Sequence, residues 1–260
     1  MNAAAPTSAP LATDPLDFSL ADRLPARVAG QGRLIVGALP QDGRPGLLFV
    51  PGAYHGAWCF AHYLDYFAAA GLACAALDLR GHGALPQDAA FASTTIADLG
   101  HDVACALDAL EGPTIVVGHS MGALPALLAA RQRPVAGVVL MAPSPPGDLP
   151  GALALPPVPG ATPRAAPAPA EIRARFLATS PDRDVRAVTE RLCAESPQVL
   201  NDRYLLRVAL GDASFNAPGL CLAAGLDTHD RHPPGQDQAI AQRYGLSLIH
   251  ISEPTRLLSI

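Results

Sequence analysis

Gly118-His119-Ser120-Met121-Gly122 is the stretch of this 260-residue sequence whose residue types and spacing could do covalent chemistry. It lies between two apolar runs, Thr114–Val117 before it and Ala123–Ala130 after it. A chain that passes from strand to helix within a residue or two holds its central residue in strained backbone geometry. Only glycine-sized neighbours two positions to either side let the backbone through. Such a turn lifts the Ser120 hydroxyl above the strand ends and sets it at a helix N-terminus, where free N–H groups favour negative charge. A hydroxyl that attacks an acyl carbon also needs two N–H donors aimed at the developing oxyanion. The N–H of Met121 can be one. The other must come from a loop on a neighbouring strand, and Pro51-Gly52-Ala53-Tyr54-His55-Gly56-Ala57-Trp58, which follows the apolar run Gly46–Val50, offers the N–H of Ala53. Tyr54, His55 and His119 flank the place where a substrate would sit.

These motifs need a scaffold, and the hydrophobic pattern supplies one. Arg33–Gly37, Gly46–Val50, Leu72–Leu77, Thr114–Val117, Val135–Met141 and Gly219–Ala223 read as strands, several of them apolar on both faces. Ala57–Ala70, Thr94–Leu110, Met121–Arg131, Glu171–Ala194 and Gln236–Tyr244 carry helical spacing, with Gly71 as a stop signal after the first and Ser180-Pro181 as a candidate break within the fourth. Alternation of apolar strands with helices across short loops predicts an α/β fold, a mostly parallel sheet covered on both faces. Pro125 is expected to kink the helix after Ser120 or to remove one of its backbone bonds. Residues 143–170 are proline-dense and cannot form a regular element. The expected organisation is a weakly ordered extension over 1–25, a core made of 26–142 and 211–246, and a cap inserted at 143–210. Leu149, Leu153, Leu155 and Val158 in the cap are either lining for an apolar acyl pocket or packing against the sheet.

Three stretches, PGAYHGAWCF, Asp78-Leu79-Arg80-Gly81-His82-Gly83 and VVGHSMG, stand in an order that resembles the α/β-hydrolase superfamily, in particular the group of plant methylesterases, hydroxynitrile lyases and bacterial esterases. In that family a histidine-glycine pair usually opens the oxyanion loop; here it is Pro51-Gly52. The resemblance implies an α/β-hydrolase fold with a cap and a cofactor-independent hydrolase of esters or related acyl compounds. It implies Ser120 as nucleophile and Ala53 and Met121 as oxyanion donors. It also implies an acid after the strand GLCLAA, where Asp227 falls, with Asp230 as the alternative. The cluster Asp227, His229, Asp230 and His232 follows no usual zinc spacing, so neither metal nor cofactor is expected. A lyase would be expected to use a lysine, and the sequence has none. A non-catalytic binding protein on the same scaffold remains the alternative.

The family's general base is a histidine after the last strand. Beyond Gly245 this sequence offers only His250, too early for that position. His55, His82 and His119 lie on loops and His62 and His101 on helices, none at the place of the base. The closing residues SLIHISEPTRLLSI also break with a composition otherwise dominated by alanine, proline, glycine and arginine, and resemble translated sequencing-adapter read-through. The expectation is therefore a non-native tail over 247–260, with the last strand, catalytic histidine and final helix missing and activity impaired.

The net charge of −5 lacks the basic excess that a nucleic-acid binder carries to meet phosphate. No apolar run approaches the ~20 residues that span a bilayer. Five scattered cysteines without a CxxC pair, and an N-terminus without a basic and apolar leader pattern, point to a reducing, cytoplasmic setting. The expected partner is a small acyl substrate, with no nucleic acid and no membrane.

Overall fold

A computed structural model describes residues 14–40, 43–175, 177, 184–211, 215–225 and 232–251. Eight strands form one sheet: β1 (Ala26–Ala29), β2 (Gly32–Ala38), β3 (Gly46–Val50), β4 (Cys74–Asp78), β5 (Thr114–His119), β6 (Gly137–Met141), β7 (Gly219–Ala224) and β8 (Ser247–Ile251), in the order β1-β2-β4-β3-β5-β6-β7-β8. β1 and β2 run antiparallel to their neighbours, and every pairing from β4 through β8 is parallel.

The apolar runs are strands because both faces are buried. Successive side chains in a strand point to opposite sides. Leu34, Val36, Leu48, Val50, Leu77 and Val116 join one core cluster, while Ile35, Phe49, Ala76 and Val117 join the other. The first cluster is closed by α3 (Ile96–Ala109), α4 (Ala123–Gln132) and α8 (Gln236–Tyr244), the second by α1 (Ser19–Arg23) and α2 (Ala61–Ala69). α3 opens on a capping box: Thr95 accepts from the Asp98 N–H at 3.2 Å and the Asp98 carboxylate accepts from the Thr95 N–H at 2.9 Å. α2 ends before Gly71, whose φ of +73° is a helix-stop conformation.

Several expectations need correction. Residues 14–25 are not a loose extension. α1 lies there, Leu16, Phe18 and Ala21 are buried, and the Phe18 ring meets Trp58 edge-on with centroids 4.9 Å apart. Burying two large side chains is enough to hold this short segment down. Pro125 neither kinks α4 nor removes a bond. The helix begins at Ala123, so Pro125 sits in the first turn, where N–H groups have no intrahelical acceptor. Over 171–194 the described residues form α5 (Pro169–Arg175) and α6 (Arg186–Thr189), one on each side of Ser180-Pro181, which lies outside the described residues, and a further helix, α7 (Pro197–Tyr204), follows. α7 carried its own signal, Ser196 as N-cap accepting from Gln198 and Val199 with Pro197 as first helical residue.

The expected absence of a last strand is also corrected. Ser247–Ile251 pairs with β7 in parallel register, from Leu220↔Ser247 to Ala224↔Ile251. An open β7 edge presents unpaired N–H and C=O groups, and SLIHI has the β-rich composition to satisfy them. Residues 252–260, where the final helix was sought, lie outside the described residues.

The loop after β4 is tied to α3 by an ion pair. Asp102, with no exposed side-chain surface, accepts a two-point contact from the Arg80 guanidinium, at 2.7 Å from Nη2 and 2.9 Å from Nε, and a bond from the Arg80 N–H. Asp102→Ala leaves Arg80 without its buried partner. We expect a loss of about 2–3 kcal/mol, below the figure for a fully buried pair because Arg80 can rehydrate, readable as a lowered urea midpoint with unchanged slope.

Candidate active site

β5 ends at His119 and the chain turns at Ser120 into a short 3₁₀ turn, Ser120–Gly122, that runs directly into α4. Ser120 has φ +51°, one of four non-glycine residues with positive φ among the described residues. Such a conformation costs of order 1–3 kcal/mol and persists only where surrounding structure imposes it. Here it is imposed by crowding. A Cβ on Gly122 would stand 2.2 Å from the Pro51 carbonyl oxygen, and one on Gly118 would stand 2.7 Å from the Ala123 Cα. The Ser120 carbonyl is held from the other side by the Ser144 N–H at 2.9 Å.

The loop after β3 lies against this elbow. A Cβ on Gly52 would come within 3.1 Å of the Ser120 Cβ. The His55 N–H closes a turn on the Gly52 carbonyl at 3.3 Å, with Tyr54 at the third position in a φ of +69°. That is the type II arrangement, which usually takes glycine there. The Ala53 N–H points to no acceptor among the described residues. The Met121 N–H belongs to the first turn of a helical segment, where amides have no intrahelical partner. The amides of Ala53 and Met121, named from the sequence, thus stand on the loop and the turn that meet at the elbow.

Sequence reasoning missed what holds the Tyr54 backbone. The Glu195 carboxylate, fully buried and 141 residues away, accepts from the Tyr54 N–H at 3.0 Å, and the Tyr54 carbonyl accepts from the Cys193 N–H at 3.0 Å. Glu195 also pairs with His82 at 3.0 Å. The only clue in sequence was an acid immediately before the Ser196-Pro197 helix start.

Tyr54, His55 and His119 are all buried. His55 Nδ1 engages the Ala53 carbonyl at 2.7 Å. His119 Nδ1 has no hydrogen-bond partner, and burial, with help from His55 and His232, pushes its pKa from the ordinary 6.5 down to about 3. It is therefore neutral at pH 7. Asp227, His229 and Asp230 lie outside the described residues. His232 follows them on the way into α8; its Nδ1 is 4.0 Å from an Asp237 carboxylate oxygen. His250 is on β8, and with His232 lines an open cleft between the ends of β7 and β8 that also includes Ala223, Gly225, Gly235 and Gln238. Registers His119↔Met141, Met141↔Leu222 and Leu222↔Ile249 put His250 three strands from the elbow. At roughly 4.8 Å per strand that is about 14 Å, beyond the reach of an imidazole. Among the described residues no side chain hydrogen-bonds the Ser120 hydroxyl.

Among the described residues no group of three or more His, Cys, Asp or Glu side chains could hold a metal ion, and no helix is long and apolar enough to cross a membrane. In the cap, Leu149 and Val158 are buried in the main core cluster with Val199 and Leu200 of α7, while Leu153 is exposed. Leu155 is held through its N–H to the Tyr204 carbonyl at 2.8 Å. Leu149 and Val158 thus pack this segment against the core.

The fold has close counterparts among solved structures. A methylesterase from Arabidopsis superposes with a TM-score of 0.64 at 20% identity, over 84% of this chain and 94% of that one. The thioesterase domain from the curacin biosynthetic pathway gives 0.62 at 17%, over 88% and 91%. An N-acyl homoserine lactone degrading enzyme gives 0.59 at 18%, over 87% and 91%. At these identities the likeness is one of fold. No curated protein sequence matches the chain. A family profile, however, matches residues 47–254, from the strand that leads into the oxyanion-type loop to the end of the sheet. That match, with the strand order and the strained serine at the end of β5, places the chain in the alpha/beta hydrolase family.

Proposed function

We propose that the protein is a serine hydrolase of carboxylic esters or related acyl compounds, with residues 143–210 as a cap on a core of 26–142 and 211–246. The observation that carries this reading is Ser120 in a left-handed conformation beside two amides, those of Ala53 and Met121, that have no other use. Ser120 Oγ attacks the acyl carbon, its proton passes to a base, and the two N–H groups stabilise the tetrahedral oxyanion. The base then protonates the leaving group, and water attacks the acyl-enzyme to release the acid. Asp227, or Asp230, orients the histidine and stabilises its imidazolium. Tyr54, His55 and His119 line the approach to Ser120. Hydrolase relatives act by the same fold on a methyl ester, a thioester and a lactone, by their names, and each of those substrates presents one electrophilic acyl carbon.

Among the described residues no histidine is bonded to the Ser120 hydroxyl, and the proposed reading includes impaired turnover. A serine whose base is not engaged retains the roughly 10³–10⁴-fold advantage over water that oxyanion stabilisation and binding supply. The same observation favours, as the second reading, a member of the fold that binds a small molecule without hydrolysing it.

A fluorophosphonate separates the two, because it phosphonylates a serine whose neighbouring amides receive the P=O oxygen. We expect stoichiometric labelling mapped by mass spectrometry to Ser120, slow but complete over hours, and none in Ser120→Ala. Labelling absent from the unaltered protein would leave only the binding reading.

A further inference from the structure

Glu195 lies outside the machinery proposed above, yet its buried carboxylate takes three donors, one of them from the loop beside Ser120. One carboxylate oxygen, Oε2, accepts from both the Tyr54 N–H at 3.0 Å and His82 Nε2 at 3.0 Å; the other, Oε1, accepts from the Ser196 N–H at 2.8 Å. His82 Nδ1 is 2.9 Å from the Arg80 carbonyl, which can only accept, so Nδ1 carries a proton and Nε2 faces the carboxylate with the second. Burial opposes charge on His82, but the Glu195 carboxylate outweighs it and raises the histidine's pKa. The edge of the Phe91 ring, 5.6 Å centroid to centroid, covers the pair.

We propose that Glu195 is a positioning residue: carried in by the cap and charge-matched by His82, it holds the Gly52–His55 turn in the form that leaves the Ala53 N–H free and aimed at Ser120. The inference rests on the oxyanion role proposed for Ala53. Its physical basis is the φ of +69° at Tyr54, a position a side chain avoids unless something forces it. Cap residues hold both backbone groups of Tyr54, Glu195 its N–H and Cys193 its carbonyl. Turning the Tyr54 N–H away from Glu195 would strip a buried N–H of its acceptor and leave the carboxylate with two of its three donors, so the strained turn is the less costly state. A cap displaced from the core takes Glu195 with it and relaxes the oxyanion loop, which couples cap closure to catalytic competence.

The test uses two readouts on the full chain. Protein labelled with ¹⁵N-tyrosine gives five backbone amide signals, one per tyrosine, with Tyr54 identified by its loss in Tyr54→Phe. The Tyr54 proton should lie downfield, as an amide donating to a carboxylate does, and be protected from exchange; in Glu195→Gln it should move upfield with the other four in place. Fluorophosphonate labelling of Ser120 should slow at least tenfold in Glu195→Gln. Gln87→Ala is the control. Gln87 Nε2 bridges the Gly81 carbonyl at 3.0 Å and the Ala194 carbonyl at 2.8 Å, linking the same cap segment to the loop after β4 that carries His82, without touching Tyr54. It should lower thermal stability and leave the labelling rate within twofold. Equal labelling in Glu195→Gln and the unaltered protein overturns the inference, as does equal slowing in Gln87→Ala. If Glu195→Gln does not fold, an ordinary, rapidly exchanging Tyr54 amide in the unaltered protein overturns it alone. Absence of any labelling in the unaltered protein instead overturns the serine-hydrolase reading.

Discussion

Gly122→Ala is expected to abolish soluble folded protein or to lower its stability by more than about 3 kcal/mol. The added methyl would sit 2.2 Å from the Pro51 carbonyl oxygen and 2.7 Å from that of Val50. Both are backbone atoms of β3 and the loop beside it, and β3 is hydrogen-bonded in the sheet between β4 and β5. No rotamer change relieves the clash. Either β3 moves, which breaks its ladder with β5, or the elbow moves, which releases Ser120 from its left-handed conformation. Gly160→Ala is the matching control, because there the methyl meets only the far end of the Gln198 side chain at 3.3 Å. Thermal unfolding of the two variants checks the point: Gly160→Ala should stay near the unaltered protein, whereas a Gly122→Ala variant of full stability would mean that the elbow is not so tightly packed.

Acid should unfold the protein early, and His119 should be a main cause. Burial lowers its pKa from 6.5 to about 3 in the folded protein, so between those values the unfolded chain binds a proton that the folded one does not. Stability therefore falls as pH falls through 6.5 and continues to fall toward 3. Each unit is worth about 1.4 kcal/mol, so at pH 4.5 the loss attributable to this one residue is on the order of 2–3 kcal/mol. His119→Leu removes the effect, and among the described residues Nδ1 has no hydrogen-bond partner to lose. Urea titrations at pH 7 and pH 4.5 should show a smaller difference between the two pH values in His119→Leu than in the unaltered protein. An equal difference would mean that the ring is hydrated in the folded state.

The core of the fold was legible in the sequence because it is written in local patterns. Apolar runs such as Leu47–Val50 and Ile115–Val117, separated by helices with spacing at Ile96, Leu99, Val103 and Leu107, leave few arrangements other than a covered parallel sheet. The glycines of GHSMG identified Ser120 for the same reason: excluded volume at the turn acts over two residues. Where the reading failed, the deciding partner was distant. Leu16 and Phe18 are ordered by Trp58, and SLIHI becomes a strand because β7 offers an open edge. Pro125 was misjudged by position alone, since the helix starts at Ala123, two residues later than the Met121 start expected, and so holds the proline in its first turn.

Sequence by itself determined the sheet and the tight turn that carries Ser120, both set by short-range sterics and by hydrophobic periodicity. Only the tertiary structure decided that His119 is buried and neutral, that His250 stands three strands away from Ser120, and that Glu195 reaches back 141 residues to grip Tyr54. Burial and charge pairing depend on which surfaces meet after the chain has closed on itself, and no periodicity in the sequence encodes that meeting.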